Sequence, residues 1–324
     1  MLARLRGLWQ RLPPGLRRRV YWAANWTGLP YVLSYVATYR GMHAQSNFAG
    51  NFLHLKQEYS QSSEVRRREL DAQFDAILAA LIMRNGVAKS TYRGRTTRIL
   101  EKVLADDACR VKQSPLRVLD IPSSTGIASL DCLALLRRRY PVDRYVLADL
   151  FQHIQYDTDR QCIFDEDSEL LQVKFKTRFF AIHRAHVRGE DYSYLTRVLL
   201  SPVDLVSWYL KRRYSYSGDY HRVPIVLIHP EVEAQLREHV LRVEKADVFV
   251  GVEEVYDLIL CFNLLQRNYF SPAQIARGIE NLKNALSEGG LLVVGRPDVG
   301  SADAVWAARK RAGELVWVKR EGCL

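Results

Sequence analysis

The twelve residues from Pro115 to Gly126, PLRVLDIPSSTG, restrict the fold more than any other stretch of this chain. A short apolar run ends in Asp120, breaks into a turn of small residues, and passes into an apolar helical pattern from Ile127 to Tyr140. That order predicts a strand, a tight loop and a helix, the opening of a doubly wound α/β domain. In such sheets ligands bind in the loop at the carboxyl end of the strand. A dinucleotide fingerprint of the G-x-G-x-x-G kind needs three glycines, and only Gly126 is present, so the loop does not make an NAD site. Ser123, Ser124, Thr125 and Gly126 are nevertheless small enough to let a ligand approach the backbone closely.

The later elements keep the same rhythm. Arg144 to Asp149 (RYVLAD) reads as a second strand ending in an acid, and in Rossmann-like folds such an acid can accept ribose hydroxyls. Ala246-Asp247-Val248-Phe249 places an acid after a third strand. Tyr256 to Phe262 (YDLILCF) is a buried parallel strand, followed by Asn263, a helix from about Ser271 to Ser287, a Glu288-Gly289-Gly290 turn and a strand from Leu291 to Gly295. Ala304 to Arg309 and Glu314 to Lys319 alternate in polarity around Gly313, as in a β-hairpin.

The D-x-x-x-x-x-G spacing of Asp120 and Gly126 resembles motif I of class I S-adenosylmethionine-dependent methyltransferases. The segment CFNLLQRNYFSPAQIARGIENLKNALSEGGLLVVGR looks most like the later half of the chemotaxis-receptor methyltransferases. The resemblance covers roughly Ser90 to Leu324 with one large interruption. It implies an α/β fold with a Rossmann-like, seven-stranded class I methyltransferase sheet closed by an antiparallel hairpin strand, and S-adenosyl-L-methionine as cofactor. It further implies that Asp120, Ser123, Ser124, Thr125 and Gly126 pass under the cofactor's amino-acid end, that Asp149 holds the ribose, and that Asp247 contacts the adenine amine. Thr91, with Arg93 or Arg95, would reach the cofactor carboxylate, a task suited to an arginine fork. Asn263 would border both cofactor and acceptor, with Arg267 and Tyr269 beside it as the residues facing the methyl group. One departure is plain: the family's usual Gly-x-Gly or Cys-Ser-Thr-Gly loop reads Pro-Ser-Ser-Thr-Gly, and Pro122 stiffens it.

With 324 residues the chain has room for one large domain and accessory parts. Residues 1–89 form a helical, basic N-terminal region, and 90–324 a methyltransferase-like domain interrupted by a substrate-binding insertion at 151–222. The formal charge of +11 is uneven, because no Asp or Glu precedes Glu58. Val20 to Tyr39 is uncharged, yet Asn25, Gly28 and Pro30 interrupt it, and a membrane span needs ~20 predominantly apolar residues. With Trp9, Trp22, Trp26 and the arginines from Arg4 to Arg40, this stretch has two readings: a segment lying on anionic lipid, or a helical lid with solvated arginines. Glu64 to Asn85 has helical periodicity through Leu70, Phe74, Ile77, Leu78 and Leu81 and is stopped by Gly86, and Thr96 to Ala105 forms a second helix. The insertion is rich in tyrosine and arginine, and Thr196 to Arg213 reads as an amphipathic helix containing Trp208. That composition suits a polar ring, a glycan, a nucleic acid or an anionic headgroup, and equally a small helical core with no ligand.

Five scattered cysteines with no C-x-x-C pair argue for a reducing, cytoplasmic compartment, with a peripheral position on the inner face of a membrane as the variant. His183 and His186 lie one helical turn apart, but no H-E-x-x-H spacing accompanies them, so no metal is expected. No G-x-S-x-G elbow or P-loop occurs. The expected function is methyl transfer from S-adenosylmethionine to a small-molecule, lipid or glycan acceptor. Two alternatives stand beside it. A nucleic-acid methyltransferase would fit the charge but lacks the N-P-P-Y or D-P-P-Y tetrapeptide, and a scaffold would keep the fold without turnover.

Overall fold

Leu116–Asp120 (β1) is buried along almost its whole length, as a strand must be when helices cover both faces of its sheet. In the computed structural model residues 48–322 are described, apart from 80, 85–88, 90, 112–113, 176–177, 184–193, 215–220, 238–239, 267–268 and 297–302. Beside β1 run Val142–Asp149 (β2) on one side and Tyr256–Phe262 on the other, both parallel to it. In chain order the strands between them are His153–Asp157 (β3), Cys162–Phe164 (β4), Leu170–Phe175 (β5), Arg178–Ala181 (β6), Arg222–Val226 (β7) and Leu241–Lys245 (β8). Tyr256–Phe262 is therefore β9, followed by Leu286–Arg296 (β10), Ala304–Arg311 (β11) and Glu314–Glu321 (β12).

The main sheet has seven strands in the order β12-β11-β10-β9-β1-β2-β8, with β11 alone running against the others. Period-two alternation sends Val118, Leu258, Leu260 and Val293 to one face and Leu119, Ile259, Cys261 and Val294 to the other. Among the described residues the helices are Phe48–Gln61 (α1), Glu64–Ala79 (α2), Thr97–Leu104 (α3), Ile127–Arg137 (α4), Tyr194–Tyr214 (α5), Pro230–Gln235 (α6) and Pro272–Asn284 (α7). The first face packs on α3 and α4, through Ile99, Leu100, Leu130 and Leu133, and the second on α7 through Leu282. This is the α/β class with a Rossmann-like central sheet.

Several expected boundaries move. The helix expected to reach Asn85 stops at Ala79, and the one expected to reach Ser287 stops at Asn284. Glu288-Gly289-Gly290 is not a turn before a strand but part of β10. Its pairing with β9 slips between Leu286 and Leu291, and Gly289 takes φ +77° there, so the glycines accommodate a bulge. The final hairpin turns at Ala312-Gly313, both at positive φ.

The largest surprise is the interruption after β2. It folds as a five-stranded antiparallel sheet, β6-β5-β4-β3-β7, rather than as a helical core. Ile154, Ile163, Leu171 and Ile225 point to one face, where α1 and α2 supply Phe52, Leu70 and Phe74. Cys162, Phe164, Leu170 and Val173 point to the other face, against Leu210 and Tyr214 of α5. The chain leaves and rejoins the main sheet side by side, since Leu227 N donates to Gln152 O at 2.8 Å.

Candidate functional site

The strand order reverses between β1 and β9, because the chain runs outward from β1 to β2 and β8 and then returns to the far side of β1. Open sheets of this type hold ligands at the carboxyl ends beside such a reversal. A cavity of about 390 Å³ lies there, inside the ~300–1,000 Å³ range of small-molecule sites. Four strands each deliver one polar side chain to it: Asp120 ends β1, Asp149 ends β2, Asp247 follows β8 and Asn263 follows β9. Phe249, Phe270 and Tyr269 form an aromatic wall, with the two phenylalanine rings edge to face at 4.6 Å.

Two lining residues other than glycine lie in the left-handed region, Ser124 at φ 56° and Asn263 at φ 61°. Such a conformation costs ~1–2 kcal/mol for an L-residue, least for asparagine, and is held here by hydrogen bonds. Ser124 N donates to Asp149 Oδ2 at 2.7 Å, and Asn263 N to Gly295 O at 2.8 Å. Both kinks turn the chain away from the sheet where the cavity opens.

The acids differ in their surroundings. Asp149 Oδ1 accepts from Lys89 Nζ at 2.9 Å and from Phe151 N at 3.1 Å, and Lys89 also donates to Phe151 O. A carboxylate has about four lone-pair sites, so three engaged donors leave one for a ligand hydroxyl. Asp120 accepts from the Tyr145 hydroxyl at 2.9 Å. Burial raises its carboxyl to about 6 and the Asp149 charge adds to this, against the hydrogen bonds from Ser129 and Tyr145. Asp247 Oδ1 accepts from Phe249 N at 2.9 Å, which fixes the turn after β8.

Of the residues expected at the site, Thr91, Asp120, Ser123, Ser124, Asp149, Asp247, Asn263 and Tyr269 line the cavity. Arg267 lies outside the described residues. Arg93 is not among the lining residues, because carboxylates from three helices capture it. Its Nε donates to Asp71 at 2.7 Å, another nitrogen donates to Glu231, and Asp131 lies at 3.6 Å. Burial alone would lower its pKa, yet Asp71 and Glu231 hold the guanidinium above its ordinary value. Arg95, the other arginine weighed for this role, does line the cavity. Thr125 and Gly126 also fall away from it. A Cβ on Gly126 would meet Leu147 Cδ1 at 3.0 Å and Val232 Cγ2 at 3.1 Å, so the glycine permits close packing of α4 at φ +81° rather than close approach of a ligand.

Lys89, Tyr145 and Arg84 went unread in the sequence. Lys89 and Arg84 line the cavity, and Tyr145 supports Asp120 from behind. The one local signal for them is a lone lysine just ahead of Ser90-Thr91. Among the described residues no cluster of three His, Cys, Asp or Glu side chains could hold a metal, and no helix is long and apolar enough to cross a membrane. Cys109, Cys132, Cys162 and Cys261 are buried free thiols.

No protein-family profile matches the chain, and no curated protein matches its sequence. Several solved structures resemble it distantly. A Plasmodium falciparum protein solved with S-adenosyl-L-homocysteine, provisionally a protein-L-isoaspartate O-methyltransferase, is 10% identical over 85% of this chain and 95% of its own, with a TM-score of 0.34. The [4+2]-cyclase SpnF is 12% identical over 65% of this chain and 50% of its own, at 0.29. An O-methyltransferase family protein from Burkholderia thailandensis is 12% identical over 74% and 44%, also at 0.29. The chain thus matches about half the length of SpnF, and likewise 54% of the LaPhzM chain.

Proposed function

We propose that the protein is an S-adenosylmethionine-dependent methyltransferase acting on a small-molecule, lipid or glycan-type acceptor. One observation carries the reading: Asp120, Asp149 and Asp247, at the ends of three adjacent parallel strands, face one cavity with an aromatic wall. The cavity's volume fits a nucleoside-sized ligand. The donor set fits this cofactor. Asp149 retains one acceptor position for a ribose hydroxyl, Phe249 and Val248 beside Asp247 offer an apolar slot for a base, and Arg95 with Thr91 offers donors to a carboxylate.

When bound, S-adenosylmethionine supplies a methyl group already activated on sulfonium, for in-line displacement. The protein's part is then to position an acceptor and exclude water. Asn263 is the described polar side chain at the carboxyl end of β9, and its left-handed backbone aims it into the cavity mouth beside Tyr269. Asn263 and Tyr269 orient the acceptor by hydrogen bonds, and Arg267 keeps the acceptor-facing role that the sequence resemblance implies. The sequence resemblance to the chemotaxis-receptor type belongs to this proposal as its finer form.

Calorimetric titration with S-adenosylmethionine and S-adenosylhomocysteine tests the reading directly. Saturable binding of both, lost on Asp247→Arg, is expected, and absence of binding to a folded sample overturns it. Binding without turnover on any acceptor would mark the scaffold alternative.

A further inference from the structure

One face of α5 packs and another is bare. Leu210 and Tyr214 lie on the antiparallel sheet, and Lys211 donates to Glu169 at 2.8 Å. Within five residues on the outward side, Leu205 is 65% exposed, Val206 45%, Trp208 56% and Tyr209 51%. Scattered exposed apolar residues need no explanation, but four large ones grouped on one helix mark an interaction surface.

The chemistry around that group selects the partner. Arg212 sits over the Trp208 ring at 5.7 Å, and Arg213 donates to the Tyr209 hydroxyl at 3.3 Å. Guanidinium groups are thus held directly beside the apolar side chains. Tryptophan and tyrosine with one polar tip, flanked by arginines whose long stems reach upward, match the boundary between headgroups and acyl chains. Beside the exposed apolar group stand Arg212 and Arg213 against Asp204, which complements an anionic surface. Asp204 is also exposed and opposes such contact, though one carboxylate is outnumbered. The chain's charge of +11, and its freedom from acids before Glu58, have the same sign.

We propose that α5 is a docking helix that lies in the plane of an anionic bilayer surface, with Leu205, Val206, Trp208 and Tyr209 entering the acyl boundary and Arg212 and Arg213 on the lipid phosphates. This surface is separate from the cavity and does not depend on the methyl-transfer reading. It is also distinct from the N-terminal segment, whose residues lie outside those described.

Flotation of the full chain with vesicles of phosphatidylcholine, with and without phosphatidylglycerol, measures the contact. Recovery with the anionic vesicles is expected, reduced at least ~10-fold by Leu205→Glu combined with Trp208→Glu and comparably by Arg212→Ala with Arg213→Ala. Circular dichroism checks that each variant is folded. Undiminished flotation of both folded variants overturns the proposal. To locate the contact on the helix itself, p-benzoylphenylalanine is placed at position 208 of the full chain and irradiated with the same vesicles. A phospholipid adduct supports docking through α5. No adduct, or an adduct only to a second copy of the chain, overturns it.

Discussion

Around Arg93 one guanidinium meets Asp71 of α2, Asp131 of α4 and Glu231 of α6, whereas around Asp149 one carboxylate meets Lys89 and two backbone N–H groups at the cavity rim. Both clusters are half-buried or deeper, and both cross long sequence distances. The first ties separate elements together. His229 extends it: its Nδ1 accepts from Glu231 N, which leaves the proton on Nε2, 3.1 Å from Asp71 Oδ1, and the Tyr59 hydroxyl of α1 donates to Glu231 at 2.9 Å. The second fixes a carboxylate while leaving it an open lone pair toward the cavity. Charge used for architecture is spent across several helices, and charge kept for a ligand is held by the loops next to it.

The difference can be broken by mutation, and the largest effect belongs to the architectural cluster. Arg93→Ala leaves three carboxylates facing each other and is expected to cost about 2–4 kcal/mol of stability in a urea titration. The lower part of the range applies because Arg93 keeps 34% of its side chain in water. The affinity of the folded fraction for S-adenosylmethionine should be unchanged, and a parallel fall in affinity would erase the distinction between the clusters. Asp149→Ala should instead weaken cofactor binding by about 10-fold or more, the worth of a charge-assisted hydrogen bond of roughly 1.5–3 kcal/mol. It also strands Lys89, so Asp149→Ala with Lys89→Met should regain stability in thermal unfolding without regaining affinity in calorimetry.

The third expectation concerns pH. Burial raises Asp120 to about 6, above its unfolded value, so the folded state holds its proton more tightly. The stability linked to it is complete below about pH 4 and fades as pH rises through about 6. Asp120→Asn should flatten that slope and be more stable than the parent at pH 7 by about 1–2 kcal/mol, read from urea midpoints at both pH values. Some slope will remain, since burial also raises Asp75 to about 6, with Asp71 reinforcing the shift. The smallest effect is a control away from both clusters. Ser271 and Gln274 form a capping box at the start of α7, and Ser271→Ala should cost about 1 kcal/mol with no change in pH slope or affinity.

The parallel half of the fold was legible because its signals are local. RVLD and RYVLAD are short apolar runs that end at an aspartate, YDLILCF is one followed directly by Asn263, and each is a strand whose end reaches the cavity. Asp149 was readable for the same reason. The antiparallel lobe was not: β3, His-Ile-Gln-Tyr-Asp, alternates in polarity, but β4 is only three residues long and wholly buried and β7 contains Pro224, so its partners show no matching pattern. Arg93 and Arg95 could not be told apart, because what separates them is Glu231, 138 residues away along the chain. Lys89 was hidden in the same way: its partner Asp149 is 60 residues downstream. Strand ends follow from composition, while the pairing of isolated charges follows from a topology that no local window contains.

The touching backbone at Gln152 and Leu227 has one further consequence. A lobe of some seventy residues that departs and returns through adjacent hydrogen-bonded positions puts little strain on the strands it leaves, and its hold on the host lies instead in the face it shares with α1 and α2. A deletion variant closing the gap with a short loop would therefore need polar replacements at Phe52, Leu70 and Phe74, while the strands that frame the crevice keep their register.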